Sequence, residues 1–204
     1  MKHNLYINIS SNIILKTSID ELDENIINEA IQVLSDGGIV LYPTDTVYGL
    51  GANIFNNDAV RRVFEIKKRS FLKPLSILVS DVEAIDIVAR VTVREKEIIN
   101  EYLPGPYTFI LTKEKIVPRV ITSGSTHVGV RVPNNDISRR LASLFPITTT
   151  SANLSDEEVL SNPDDILEQL DCEVDLVIDV GDLKSDHASM IVDLSKTTPK
   201  IIRR

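Results

Sequence analysis

Five short stretches of this chain carry side chains whose types and spacing could do chemistry. The first, Tyr42-Pro43-Thr44-Asp45-Thr46-Val47-Tyr48-Gly49-Leu50-Gly51, sets Thr44, Asp45, Thr46 and Tyr48 in a loop after an apolar run. Strand-end loops of α/β proteins often host sites, although threonine and aspartate also build plain turns by bonding their own backbone. The second is Lys67-Lys68-Arg69, followed by Lys73-Pro74. Cations at a helix C-terminus are favoured by the helix dipole alone. Yet Lys67 and Arg69 are two apart and can face one anion once the helix has ended. A planar guanidinium fork and an ammonium point charge serve different oxygens of a phosphate. The third, Pro104-Gly105-Pro106-Tyr107-Thr108, is a helix stop leading into a strand. The fourth is Val128-Gly129-Val130-Arg131-Val132-Pro133. A strand buried on both faces does not hold an unpaired arginine, so Arg131 faces either solvent or an anion at a cleft. The fifth, Thr148-Thr149-Thr150-Ser151-Ala152-Asn153-Leu154-Ser155, offers hydroxyls and an amide suited to a sugar, a phosphate, a base edge or a helix N-cap.

Other chemistries are excluded or unsupported. The chain has one cysteine, Cys172, so it has no intramolecular disulfide and no multi-cysteine metal site. His3, His127 and His187 are scattered, which argues against a histidine-based zinc site. No Walker A or G-x-G-x-x-G sequence occurs. No Ser–His–Asp or Cys–His arrangement can be placed.

Net charge is −8, from 22 basic and 30 acidic residues, which as an average speaks against polyanionic partners. The average hides a split. Residues 154–186 hold twelve acids and one base, whereas residues 37–153 hold fifteen bases and eleven acids. The stretches that could bind an anion therefore fall mostly in a basic centre, densest from Arg61 to Lys73, flanked by acidic segments.

The elements that must position these groups follow from periodicity. Ile26, Ile27, Ala30, Ile31 and Leu34 share one face of a helix over 23–34, stopped by Gly37-Gly38. Helices are also expected over 57–66, over 92–103 with a Thr92/Glu95 capping box, over 136–145, and from Asn162-Pro163 onward. Strands are expected at 5–9, 13–15, 39–42, 75–79, 107–111, 128–132, 147–149, 176–179, 191–194 and 200–202. The pattern reads as an α/β fold with a mixed sheet of roughly six to eight strands. With 204 residues, no repeat and no linker, a single domain over 1–204 is expected. No apolar run is long enough to span a bilayer and no signal-type segment is evident, so a cytoplasmic, membrane-free setting is expected.

Taken together, the five stretches and the run from Ser189 to Leu194 resemble the YrdC-like family, and they occur in that family's order over most of the chain. The resemblance implies a single twisted mixed-sheet α/β domain with helices packed on the sheet and a large concave cavity. It implies a K-x-R and S-x-N tetrad, which falls here on Lys67, Arg69, Ser151 and Asn153. It further implies Thr44 as the ligand of threonine with Tyr48 close by, and Thr108, Arg131 and Ser189 completing the cavity. The implied activity is nucleotidyl transfer. L-threonine, bicarbonate and ATP, with Mg²⁺ on the phosphates, give threonylcarbamoyl-AMP and pyrophosphate. That product would feed a separate threonylcarbamoyl transferase complex acting on adenosine 37 of tRNA. Affinity for double-stranded RNA or tRNA is implied as well.

Three departures from the family pattern stand out. Asp156 replaces the glycine usual after Ser-Ala-Asn-x-Ser, Ala188-Ser189-Met190 replaces Pro-Ser-Thr, and Leu78 lies near the place of a histidine found in longer members. The chain ends at Arg204, as expected of the short form. Two alternatives remain open: a paralogue with different carbamoyl-adenylate chemistry, and a double-stranded RNA-binding protein using the Arg61–Lys73 cluster.

Overall fold

Helix α1 (Glu24–Ser35) forms where the periodicity places it, capped by Asp23, whose carboxylate accepts from the backbone N–H groups of Asn25 and Ile26. The five residues of its inward stripe are buried, the three isoleucines and the leucine each contributing about 1.5–3 kcal/mol relative to exposure. Gly37, at φ +85°, turns the chain out of the helix in a conformation glycine adopts freely. The computed structural model describes residues 12–20, 22–185, 187–196 and 198–203. The strand expected at 5–9 lies outside them.

Among the described residues the helices are α1, α2 (Asn57–Ile66), α3 (Ile85–Val88), α4 (Val93–Tyr102), α5 (Asp136–Leu141) and α6 (Pro163–Leu170). The strands are β1 (Ile13–Lys16), β2 (Val40–Tyr42), β3 (Gly49–Gly51), β4 (Ser76–Leu78), β5 (Ala89–Arg90), β6 (Tyr107–Lys113), β7 (His127–Arg131), β8 (Ile147–Thr149), β9 (Leu176–Asp179), β10 (Met190–Asp193) and β11 (Lys200–Arg203). They form two mixed sheets, β1-β9-β2-β3 and β11-β10-β6-β7-β4-β8, with β5 paired to β6. The architecture is the expected twisted mixed α/β arrangement, but the expected single sheet of six to eight strands is divided in two. The isolated bridges Gly49↔Ser151 and Asn53↔Ile147, with backbone hydrogen bonds such as Thr148 N–H to Ala52 O, link the β3 segment to the β8 region.

The central strand β2 shows how the layers close. Ile39 and Leu41 point into one buried cluster with Val60, Val63 and Phe64 of α2. Val40 and Tyr42 point into the other, with the apolar faces of α1 and α5. Strict alternation along a strand buried on both sides makes this possible. The β2–β3 hairpin needs glycine at both Gly49 and Gly51, where a Cβ would come within 2.9 Å of the Tyr42 ring.

Helix α5 is shorter than the expected span 136–145 and ends at Leu141. Pro146 disfavours helical backbone at Phe145, and Leu144 is left in solvent rather than on the buried face. The short β3, β5 and α3 carry no sequence period of their own and are set by their neighbours. The capping box at Thr92/Glu95 is present, with each side chain bonding the other residue's backbone N–H.

Candidate functional site

Backbone pairing brings the first and fifth stretches side by side. Leu50 N–H donates to Thr150 O at 3.0 Å, and Ala152 N–H donates to Tyr48 O at 2.8 Å. Helix α2 then delivers Lys67, its C-cap residue, under the 151–153 segment. The Lys67 ammonium is buried and donates to Ser151 O and Asn153 O, both at 2.5 Å, and to Asn153 Oδ1 at 3.1 Å. Those bonds use all three of its donors. Ser151 Oγ donates to the same Asn153 Oδ1 at 2.7 Å, and Asn153 Nδ2 donates to Glu157 O at 2.7 Å. Ser155 N–H closes the seam onto Lys67 O at 2.9 Å. Lys67, Ser151 and Asn153 are thus one hydrogen-bonded unit. Burial first, then the nearby Arg69 charge, push the Lys67 ammonium down to about 7.

Arg69 leaves the helix end and donates through Nε to Lys73 O at 3.0 Å and through Nη2 to Pro74 O at 2.8 Å. Arg131, at the end of β7, is 4 % exposed and pairs with Asp45 at 2.5 Å. Arg131 Nε and Asp45 Oδ2 are buried without a hydrogen-bond partner. The valine run therefore holds its arginine against an aspartate of the 43–48 loop. Thr108 and Ser189, 81 residues apart, share a hydroxyl–hydroxyl bond of 2.8 Å because β6 and β10 run parallel. Arg203 of β11 donates to Ser189 O through Nη2 at 2.7 Å.

Arg203 was not legible in the stretches above. Its sequence signal is a basic residue ending the last strand, and the antiparallel register that sets it opposite Ile191 supplies the rest. Burial, followed by the charges of Arg131 and Arg69, lowers its pKa. Burial also lowers Arg131 and Arg69, against the opposing pull of Asp45 on the first and Asp156 on the second. Arg69, Arg131 and Arg203 are thus brought within electrostatic reach by three separate strand or helix ends. Such a set of fixed positive charges, partly removed from water, attracts an anion more strongly than exposed lysines do.

The two remaining residues lie beside this surface. Thr44 Oγ1 is used within its own turn, donating to Val47 O at 2.7 Å and accepting from Thr46 N–H at 3.0 Å. Tyr48 turns away: its hydroxyl donates to Gly181 O at 2.8 Å and accepts from Val180 N–H at 3.0 Å. Tyr48→Phe is expected to cost about 1–3 kcal/mol, by leaving those two groups unsatisfied. Urea denaturation and faster amide exchange at 180–181 would report it; unchanged exchange there would count against an anchoring role. A cavity of about 570 Å³ lies on the Thr44–Thr46 side, walled by Asn135 and Ile137 and covered by Val180, Asp182 and Lys184. Lys67, Arg69, Ser151 and Asn153 do not line it.

Among the described residues no group of three or more His, Cys, Asp or Glu side chains is placed to hold a metal ion, and no helix is long and apolar enough to cross a membrane. Of the sequence departures, Leu78 is fully buried opposite Arg131 in the β4–β7 register, and Met190 opens β10 opposite Tyr107.

Comparison with known proteins gives this geometry its context. The Sua5/YciO/YrdC family model, described as "Telomere recombination", matches residues 32–204. A putative threonylcarbamoyl-AMP synthase of Methanocaldococcus jannaschii is 41% identical over 180 residues, which is 86% of each chain. The crystal structure of Pyrococcus abyssi Sua5 complexed with L-threonine superposes with a TM-score of 0.88 at 34% identity, over 94% of this chain and 57% of that one. The chain thus spans little more than half of the Pyrococcus protein. Escherichia coli YciO superposes with a TM-score of 0.87 at 29% identity over 95% of both chains. By matched family model, sequence identity and fold, this chain belongs to the Sua5/YciO/YrdC family.

Proposed function

We propose that this protein is a threonylcarbamoyl-AMP synthase: a nucleotidyltransferase that joins L-threonine, bicarbonate and ATP and releases pyrophosphate. The observation that carries this reading is the bonded Lys67–Ser151–Asn153 unit set beside Arg69, Arg131 and Arg203. The relatives named as such synthases support it. In this reading the threonine amine combines with bicarbonate, losing water, to give a carbamate. A carbamate oxygen then attacks the α-phosphorus of ATP. The new O–P bond forms as the bond to the β-phosphate oxygen breaks, and pyrophosphate departs with that electron pair.

No covalent nucleophile is required, so the protein's work is positioning and charge. Arg69 and Arg203 neutralise charge on the phosphates. Arg131, fixed by Asp45, faces the carboxylate end of threonine. Lys67 holds the 151–153 segment and adds its charge from beneath. Ser151 and Asn153 present the nucleotide-facing edge, and the Thr108–Ser189 pair with Thr44 borders the amino acid, Tyr48 holding the wall behind. The carboxylates near the arginines are already paired, Asp45 with Arg131 and Asp156 with Lys73. Mg²⁺ accordingly belongs with ATP as substrate, held by phosphate oxygens and water. The product would pass to a separate transferase complex acting on tRNA in the cytoplasm. Residues 1–204 form one functional unit in this reading.

The reading is tested by incubating the pure protein with threonine, bicarbonate, Mg²⁺ and labelled ATP. Threonine-dependent pyrophosphate and threonylcarbamoyl-AMP are expected; their absence under conditions where a known family member is active would sink it. A duplex-RNA role draws less from the structure, since Arg62 of the basic run is paired with Asp175 at 3.0 Å and Lys73 with Asp156 at 2.8 Å.

A pH effect follows from Lys67. With its pKa pushed down to about 7, part of the free protein at about pH 7 carries Lys67 neutral, with one of its three donated bonds given up, and a bound polyanion favours the ammonium. ATP binding at that pH is therefore expected to take up a proton. Calorimetry in two buffers of different ionisation enthalpy measures this, and identical heats in both would contradict it.

A further inference from the structure

Asp156 has a backbone conformation unusual for its type. Its φ is +72°, a value glycine adopts freely and an L-residue only at a cost. The strain is kept together with a contact: both carboxylate oxygens accept from Lys73 Nζ, at 3.0 and 2.8 Å, across 83 residues of chain. The two loops joined here are the same two that Lys67 joins from beneath, through Ser151 O, Asn153 O and the Ser155 N–H. Lys73–Asp156 closes the outer side of that seam, with the lysine and aspartate side chains 49% and 79% exposed. The Asp156 carboxylate is also felt by Arg69, whose guanidinium bonds Lys73 O next door. A carboxylate is therefore built into the rim of the Arg69–Arg131–Arg203 surface.

We propose that Asp156 is a built-in competitor for the phosphate end of this site, and that the Lys73–Asp156 ion pair is a latch an incoming polyphosphate must open. The proposal rests on the reading that ATP phosphates bind beside Arg69. A phosphate group approaching Arg69 meets repulsion from the Asp156 carboxylate and finds Lys73 already engaged. Opening the pair frees Lys73 to bind phosphate while Asp156 turns to water. An exposed ion pair is weak enough to open at each turnover, and a polyphosphate brings more charge than the single carboxylate it displaces. The latch therefore lowers affinity for ATP and pyrophosphate without blocking either.

The test is titration of the full chain with ATP and with inorganic pyrophosphate, in the parent protein and in Asp156→Asn, Asp156→Gly, Arg69→Ala and Lys73→Met. Asparagine keeps the side-chain shape, tolerates left-handed backbone and removes only the charge. Asp156→Asn and Asp156→Gly are both expected to tighten binding of either ligand about two- to fivefold, with the gain fading as salt is raised. Lys73→Met alone, which leaves the Asp156 carboxylate unpaired at the rim, is expected to weaken binding of either ligand, and unchanged binding would contradict a role for the freed lysine. Three results would overturn the latch: no gain in Asp156→Asn, tightening in Asp156→Gly alone (relief of backbone strain only), or weaker binding of Mg²⁺-ATP in Asp156→Asn. The site reading fails separately. If Arg69→Ala does not reverse a gain seen in Asp156→Asn, the anion binds elsewhere. If Arg69→Ala loses binding while Asp156→Asn gains nothing, the site stands and the latch does not.

Discussion

Lys67→Ala is expected to lower threonine-dependent pyrophosphate release by about a hundred- to a thousandfold, the scale of losing a donor that preorganises a charged transition state. The expectation has two parts. The ammonium supplies positive charge from a buried position next to Arg69, where burial strengthens its field. It also ties down Ser151 and Asn153 through three hydrogen bonds; in an alanine variant Asn153 Oδ1 keeps the Ser151 hydroxyl and Ser151 O keeps the Asn153 N–H, while Asn153 O loses its lysine donor. Lys67→Arg should not rescue, because a planar fork cannot place three donors on one point. Lys67→Met fills the space without charge or donors, so it separates lost packing from lost chemistry: it should be more stable than the alanine variant and as little active. Steady-state assay beside urea denaturation decides. Methionine activity near that of the parent protein would show that neither charge nor donors at Lys67 matter to the reaction.

Removing Asp45 is expected to have the largest effect on stability. In Asp45→Ala the Arg131 guanidinium, whose side chain is 5% exposed, loses its only ion-pair partner among the described residues. Breaking a buried pair from one side costs about 3–5 kcal/mol, most of it from the charge left behind. The paired replacement Asp45→Leu with Arg131→Met removes both charges and should recover much of that loss while abolishing activity. Urea midpoints for the three proteins check this. Asp45→Ala within about 1 kcal/mol of the parent would mean water reaches Arg131 freely and the pair is not a buried one.

Both predictions concern contacts that no local pattern in the chain reveals. What the sequence shows well is what its own neighbours decide. The α1 stripe, the Asp23 cap, the Thr92/Glu95 box, the Gly37 turn and the valine-rich β7 all arise from residues within a few positions of one another. Helix α5 marks the limit of such reading: its apolar spacing continued to Phe145, but Pro146 and the lack of anything to cover Leu144 ended it early. The paired residues of the site were visible as types. Lys67 with Arg69 and Ser151 with Asn153 look like anion and nucleotide ligands from composition and spacing, and family order assigned them together.

The sequence by itself determined the class of fold, the family and the residues worth testing, because helix period, strand alternation and capping act over a few bonds. The tertiary structure alone decided how those residues meet. That Lys67 serves the 151–153 backbone, that Arg131 is held by Asp45, that Tyr48 faces 180–181, and that Arg203 joins the arginines all depend on pairings across 84, 86, 132 and 14 residues. Such contacts are fixed by sheet order and register. A shift of one residue in register would turn each strand's side chains to the opposite face. The same holds for Asp156, whose reach to Lys73, 83 residues away in the chain, depends on the antiparallel pairing of β4 with β8 that sets the two loops side by side.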